Sequence, residues 1–213
     1  MNISKNIFRL ILLIVIMSIT AGASDKYKFN SSIGINSIYS FPLGNYDKDI
    51  NSGPGFGVES NIMVKDNVSV HLYLNYLGLD GDELFGGGFD NVYDQRYNVT
   101  HKTQYSNFEF LATLQFNHRL SKIFKLIYIS AGTGLLLENY KNVRKFYDND
   151  VFVREYENKY SNLYNLIHIG AGLEQSLSDP IGINYAFAFD RVYKSNSEFK
   201  FKLNLYLGLV YNL

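Results

Sequence analysis

The sequence predicts an all-β fold: an eight-stranded antiparallel, up-and-down transmembrane β-barrel with long extracellular loops and short periplasmic turns. Three observations predict it. Apolar and polar residues alternate with a period of two in about eight segments, as in strands that have one apolar face. The connections between these segments are alternately short and long. Beyond the N-terminal region, no apolar run is long enough for a membrane-spanning helix.

The composition agrees with β structure and implies no strongly charged partner. The chain has 213 residues with 20 basic and 20 acidic side chains, so its formal net charge is zero and nucleic acid is not an expected partner. It contains 18 Tyr, 16 Phe and 17 Gly, which favours strands over helices. Cysteine is absent, so stability has to come from packing and from hydrogen bonds between strands.

The first 23 residues have the organisation of a secretory signal peptide. Lys5 and Arg9 supply a positive segment, an apolar run follows, and small residues at 21–23 offer a cleavage site. An uncleaved membrane anchor is the alternative, but the apolar run is about 10 residues and a helix needs roughly 20 to cross hydrocarbon. We therefore expect residues 1–23 to be a signal peptide and residues 24–213 to form one outer-membrane barrel domain.

The alternation places the eight strands in order along the chain. They are predicted at Tyr27–Tyr39, Phe56–Val64, Val68–Tyr76, Asn107–Arg119, 126–138, 166–174, Ile183–Asp190 and 201–213. LIYISAGTG at 126–134 is echoed by LIHIGAGLE at 166–174, so the fifth and sixth strands share one pattern.

The connections fix the two ends of the barrel. Short turns are predicted at Lys65–Asn67, Ser121–Lys122 and Ser178–Pro180, and long loops at Phe41–Gly55, Leu79–Gln104, Tyr140–Asn158 and Arg191–Glu198. Some alternation persists within the two largest loops, so we expect strands four to six to continue beyond the bilayer as a β-ribbon. Ten strands remain an alternative, if residues 92–103 turn back on themselves. The triple glycine at 86–88 is expected to bend the long loop.

The polar faces of the strands are predicted to fill a narrow lumen. A soluble lipocalin-type barrel, with an apolar interior, is the alternative. The polar faces hold charges of both signs, which can pair inside an eight-stranded barrel, whereas apolar faces of about 9 to 11 residues suffice to cross lipid. The predicted lumen network is Glu59, His71, Glu109, Arg119, Glu138, His168, Glu174, Asp190 and Lys202.

Tyrosines near the strand ends suit the aromatic girdles of a membrane barrel. They are Tyr27, Tyr39, Tyr76, Tyr105, Tyr140, Tyr160, Tyr193 and Tyr211. The chain ends on FKLNLYLGLVYNL, in which apolar residues occupy one face and mostly polar or small residues the other. Because an open sheet edge in lipid leaves backbone groups unsatisfied, we expect this last strand to pair with the first.

Three stretches resemble small bacterial outer-membrane β-barrels of the OmpX, OmpW and opacity-like kind. They are FPLGNYDKDINSGPGFGVESNIMVKDNVSVHLYLNY at 41–76, IHIGAGLEQSLSDPIGINYAFAF at 167–189, and the final LYLGLVYNL. The resemblance implies that the last stretch is a signal for the barrel-insertion machinery, formed by Leu205, Leu207, Gly208, Leu209, Tyr211 and Leu213. It departs from the usual pattern by ending on Leu rather than on Phe or Trp.

The sequence predicts no catalytic residue, cofactor or metal site. The four histidines lack the spacing of a zinc site. A lipid-modifying hydrolase would need His101 and Ser106 side by side, but regular alternation places them on opposite faces of a strand.

The expected function is contact with an extracellular ligand or a host surface through the long loops, or support of the envelope, in the bacterial outer membrane. The expected partners are outer-membrane lipid, the insertion machinery and such a ligand. A narrow channel for small or hydrophobic solutes is the alternative, and an outer-membrane lipid-modifying enzyme is a further one.

Overall fold

Eight antiparallel strands form one closed ring in the computed structural model. It describes residues 31–43, 50–65, 67–90, 95–120, 124–148, 151–193 and 199–213, and the predicted signal peptide lies outside them. The strands are β1 (Ser31–Leu43), β2 (Gly53–Lys65), β3 (Val68–Asp90), β4 (Gln95–Arg119), β5 (Phe124–Asp148), β6 (Val151–Ser176), β7 (Ile181–Tyr193) and β8 (Phe199–Asn212). No helix in this part of the chain is long and apolar enough to cross a membrane.

The last strand closes the barrel against the first, as predicted. β8 pairs with β1 in a register that places Ile35 opposite Leu209. At the strand ends, the backbone N–H of Leu213 donates a hydrogen bond of 2.9 Å to the carbonyl oxygen of Ser31. Closure satisfies the backbone groups that an open edge would expose to lipid.

Side chains alternate between a buried interior and an apolar exterior. On β8, Lys202 and Asn204 are fully buried, whereas Leu205, Leu207 and Leu209 are 44%, 54% and 51% exposed. Apolar side chains therefore point outwards and polar ones inwards, which is the opposite of a lipocalin. The exterior is apolar, as the lipid-facing surface of a membrane barrel is. The prediction of a transmembrane barrel rather than a soluble one is therefore confirmed.

The strands differ in length, and this difference builds a ribbon. β3 to β6 have 23 to 26 residues, whereas β1, β2, β7 and β8 have 13 or 14. The four long strands continue past the last pair of β2 with β3, Gly55–Leu77, and the last described pair of β6 with β7, Asn165–Tyr193. We call the part of β3 to β6 beyond these pairs the ribbon. The prediction of a ribbon from strands four to six is confirmed for those strands but was too narrow, because β3 also belongs to it.

The two largest predicted loops are mostly strand. Residues 98–102 of β4 pair with both β3 and β5, so they do not turn back on themselves and the described strands form a barrel of eight rather than ten. The triple glycine does not bend a loop either: Gly86 to Gly88 lie within β3, opposite Val99 to Tyr97. Pairing with β4 overrides the weak strand propensity of glycine.

Two apolar clusters share the interior with the polar side chains. One contains Ile38, Ile50, Leu77, Leu79, Ala188 and Tyr206, and the other contains Tyr73, Leu111, Leu136, Tyr164, Leu166 and Val192. Small residues make space for these large ones: a Cβ on Gly172 would lie 2.4 Å from the Tyr128 ring. The described interior is thus a packed core rather than an open pore.

Candidate functional site

The lumen is organised around one buried lysine. Lys202 of β8 contacts the carboxylate of Glu109 on β4, and its Nζ lies 3.6 Å from Oδ2 of Asp190 on β7. All three side chains are fully buried. Two carboxylates thus share one ammonium group across the barrel, and this pairing offsets the cost of burying charge.

A Ser-His-Asp arrangement extends from this cluster. His168 Nδ1 lies 2.7 Å from Oδ1 of Asp190, and His168 Nε2 lies 3.4 Å from the hydroxyl of Ser130. The order of contacts is that of a hydrolase triad. Ser130 and His168 are only 3% and 2% exposed, however, and Asp190 also accepts a hydrogen bond of 2.6 Å from Asn204. The arrangement is therefore part of the core.

A second polar cluster surrounds Glu59 of β2. Its carboxylate lies 3.4 Å from His71 Nε2 and accepts a hydrogen bond of 2.8 Å from the Asn36 amide. The other ring nitrogen of His71 lies 2.7 Å from Oε1 of Gln115 and 3.0 Å from the hydroxyl of Tyr73. These contacts satisfy groups that would be costly to bury without partners.

The structure places eight of the nine predicted lumen residues inside the barrel. They are Glu59, His71, Glu109, Glu138, His168, Glu174, Asp190 and Lys202, each buried. Glu138 lies 3.5 Å from Lys200 Nζ, near the ribbon end.

Arg119 does not belong to this network, and its assignment to the lumen was wrong. It has the inward parity of β4 but is exposed. β3 begins at Val68, opposite Phe116, so Arg119 lies beyond the end of the neighbouring wall. Alternation predicts which way a side chain points but not where the barrel ends.

Sequence reasoning missed the uncharged members of the network. Five buried amide side chains make hydrogen bonds to Glu59, His71, Glu109 or Asp190. They are Asn36, Asn75, Gln115, Asn184 and Asn204. Each occupies an inward position of the alternation, which was the available signal. A search for charged side chains passes over amides.

A metal-binding grouping is absent from the described part of the chain, and His101 and Ser106 do not come together. No group of three His, Cys, Asp or Glu side chains there has the geometry to hold a metal ion. His101 and Ser106 lie on β4 where its pairing with β5 is regular, so they point to opposite faces, about 16 Å apart along the strand.

The ribbon carries a row of stacked tyrosines. The rings of Tyr105 and Tyr140 are 5.9 Å apart, and those of Tyr140 and Tyr160 are 4.9 Å apart. All three lie on the face that continues the barrel interior, and Tyr160 is 48% exposed. Their assignment to a lipid-facing girdle was therefore wrong, whereas Tyr39 and Tyr211 do face outwards.

The opposite face of the ribbon carries ion pairs. Glu157 of β6 lies 2.6 Å from Lys141 Nζ and 2.6 Å from Lys159 Nζ, and Lys145 lies 3.9 Å from Glu155. Hydrogen bonds from Lys141 and then Lys159 lower the pKa of Glu157 below its ordinary value. The carboxylate stays charged in mildly acidic solution, so this face presents a stable charge pattern.

The ribbon reopens a strand edge. The last described pair between β6 and β7 joins Asn165 to Tyr193, so in the described part of the chain residues 155–164 of β6 pair with β5 but with no strand on the β7 side. Val151 and Phe152 near the tip are 66% and 53% exposed. Unpaired strand edges are templates for another strand, and exposed apolar residues add contact area.

A groove of about 710 Å³ opens at the base of the ribbon. Gly78, Ser106, Asn139 and Ser161 lie along it in one row across four strands. Its volume is within the range of small-ligand sites.

Comparison with known proteins identifies the fold. No protein-family model matches the chain, and no curated protein matches its sequence. Among solved structures, Neisserial surface protein A is similar at 9% identity, with 86% of this chain and 97% of that chain covered and a TM-score of 0.52. Ail, the attachment invasion locus protein of Yersinia pestis, is similar at 14% identity, covering 87% and 99%, with a TM-score of 0.49. OprG from Pseudomonas aeruginosa is similar at 12% identity, covering 87% and 95%, with a TM-score of 0.43.

The likeness to Neisserial surface protein A, the closed ring and the apolar exterior define the class. The fold is that of a small outer-membrane β-barrel protein. The fold alone does not fix the activity, because one barrel architecture hosts unrelated functions.

Proposed function

We propose that this protein is a non-enzymatic surface protein of the bacterial outer membrane, which contacts extracellular ligands or host surfaces through its ribbon. The observation that carries the proposal is the ribbon itself, with its open β6 edge and exposed residues beside a filled barrel. Recognition concentrates in exposed segments held by a rigid scaffold, and the barrel is such a scaffold.

The chemistry of the ribbon supports contact with large, polar partners. Its charged face carries three lysines and the two glutamates paired with them, namely Lys141, Lys145, Lys159, Glu155 and Glu157, and its other face exposes Tyr156 and Tyr160. Aromatic rings supply contact area at low entropic cost, and lysines attract anionic polymers. An acidic glycan or a polar protein surface fits this combination.

The packed interior favours this function over a channel. Lys202, Glu109 and Asp190 cross the lumen and are fully buried together with apolar side chains such as Leu111. A water-filled path would require this cluster to open and its charges to separate. The expected result in planar-bilayer recordings is therefore no conductance above the noise.

The hydrolase alternative is disfavoured by access. Ser130 and His168 are within reach of each other, but neither is exposed to a substrate in lipid or water. Overexpression is expected to leave the mass spectrum of lipid A unchanged. A new deacylated species that depends on Ser130 would replace the proposal.

Shortening the ribbon tests the proposal directly. Asn142 and Asn158 are paired, so residues 143–157 can be replaced by an Asn-Gly turn that keeps the remaining register. We expect the shortened protein to keep its heat-modifiable barrel on gels but to lose binding to heparin-coated and matrix-protein-coated surfaces.

The matched control is Leu207→Ile on the lipid-facing surface, which is expected to bind like the wild type. Unchanged binding by the shortened protein would refute the ribbon as the contact surface.

Anchoring by outer-membrane lipid and assembly by the insertion machinery remain part of the proposal. Reconstitution into liposomes tests the anchoring by lipid. Assembly in cells of a variant lacking residues 205–213 tests the need for the insertion signal.

A further inference from the structure

The free edge of β6 has a sequence that is complementary to itself. Residues 155–161 read EYENKYS, and all seven are exposed. No described strand pairs with them on the β7 side. On the other side they pair with β5, so their backbone is already extended and held flat for a further strand.

Geometry limits how two copies of this edge can pair. In an antiparallel ladder, the side chains of two opposite residues point to the same face of the sheet. Their backbone N–H and C=O groups point either towards each other in both strands or away from each other in both. Two identical edges can therefore pair only about a residue and not about a peptide bond. Pairing about Glu157 or Lys159 places two like charges opposite each other, and pairing about Tyr156 places Glu155 opposite Glu157 twice.

Pairing about Asn158 avoids every like-charge contact within the segment. It places Glu157 opposite Lys159 twice and Tyr156 opposite Tyr160 twice, with Asn158 facing its own copy. Opposite charges and aromatic pairs are the cross-strand combinations that stabilise a ladder. Lys159 is 75% exposed at its side chain, so it can reach across the new pair while Glu157 keeps its contact with Lys141.

We propose that two copies of this protein bind each other by antiparallel pairing of their β6 edges about Asn158. The partner of the ribbon is then a second copy of this chain, and the two ribbons join into one continuous sheet. This inference rests on the proposed function, because it uses the same ribbon as the contact surface.

The symmetry of this pairing places the two copies in different membranes. A two-fold axis through Asn158, perpendicular to the sheet, reverses the direction of the second β6 strand and hence inverts the second barrel. Two inverted barrels lie in membranes that face each other. Asn158 is seven residues from the last β6–β7 pair, so about 45 Å of strand would separate the two barrel rims. The contact would therefore link two cells.

Charge exchange at two positions tests the register. The full-length protein is reconstituted into liposomes, and clustering is followed by light scattering. Glu157→Lys places lysines opposite lysines, and Lys159→Glu places glutamates opposite glutamates, so each variant alone is expected to cluster about tenfold more slowly than the wild type. The double variant Glu157→Lys/Lys159→Glu restores both opposite-charge pairs and is expected to cluster like the wild type.

Mixing the single variants gives the sharpest result. Vesicles with Glu157→Lys and vesicles with Lys159→Glu, labelled with two dyes, are expected to cluster with each other and not with themselves. Changes within one chain, such as loss of the Lys141 contact, cannot produce this cross-restoration. Lys65→Glu is the matched control, because it makes the same charge change on an exposed lysine at the end of β2, away from the ribbon, and it is expected to cluster normally.

Three outcomes would overturn the inference. They are absence of clustering by wild-type vesicles, clustering of both single variants at the wild-type rate, and failure of the mixture to exceed its components. Heat-modifiability on gels shows that each variant has a folded barrel. If heparin or matrix binding depends on the ribbon while the mixture fails, the proposed function stands and only the self-recognition falls.

Discussion

Replacing Lys202 with methionine tests whether the buried charge cluster holds the barrel together. Methionine matches the lysine side chain as far as its Cε and lacks only the ammonium group that Glu109 and Asp190 share. Both carboxylates are fully buried, so neither can recover its hydration without opening the lumen. Removing one partner of a buried ion pair costs about 3–5 kcal/mol, and we expect a loss of that size in the free energy of unfolding.

A double-mutant cycle separates the charge from the packing. Glu109→Gln alone leaves Lys202 near Asp190. The new side-chain amide oxygen can still accept the hydrogen bond of 3.3 Å that Asn75 Nδ2 donates to the carboxylate of Glu109. The pair Lys202→Met/Glu109→Gln removes both charges, so its cost is expected to fall below the sum of the single changes by about 0.5–3 kcal/mol.

The assay is denaturant unfolding in lipid vesicles. The chain has no tryptophan, so unfolding is followed by far-ultraviolet circular dichroism and by gel mobility. Lys159→Met is the control: this side chain is 75% exposed, and its removal is expected to cost less than about 0.5 kcal/mol. Wild-type stability in Lys202→Met, or strict additivity in the cycle, would refute the argument that the charges are coupled.

Three further predictions concern single positions. Gly132→Ala places a Cβ 2.2 Å from a backbone oxygen and is expected to cost about 1–3 kcal/mol in unfolding experiments, whereas Gly78→Ala meets nothing within 4 Å and is expected to be neutral. NMR titration is expected to give Glu157 a pKa below 4.5; Lys141→Met raises it, and the ion pair is lost only as pH falls through the lowered value. Ser130 is expected to resist fluorophosphonate labelling in the folded barrel, since it is 3% exposed, and labelling there would revive the hydrolase alternative.

Alternation along single strands was enough to predict the barrel. In β7, Ile183, Tyr185 and Phe187 point outwards and Asn184 points inwards, as their sequence pattern predicts. This property is local, because a strand whose two faces differ in polarity can lie in a barrel wall in only one orientation. Closure follows as well, because an open sheet edge in lipid would leave backbone groups unsatisfied, whereas the alternation left the number of strands open between eight and ten.

Contacts across strands could not be predicted in the same way. The approach of Ser130, His168 and Asp190 depends on the register of β5, β6 and β7, and nothing in the sequence of one strand specifies that register. The number of strands in the ribbon was underestimated for a related reason. Gly86 to Gly88 have low strand propensity, and only their pairing with β4 makes them part of β3.

The ribbon has an open strand edge, which closure removes from the barrel itself. Within the barrel, every strand has two partners and the edge groups are satisfied. In the described part of the chain β7 pairs with β6 no further than Tyr193, while β6 extends to Val151. An edge therefore appears again, above the apolar belt and in water. A strand edge in water can be left open without the cost that it carries in lipid, and it can exchange solvent for a partner strand. Selection for recognition can then act on the side chains along this edge while the lumen network, which holds the barrel, stays unchanged.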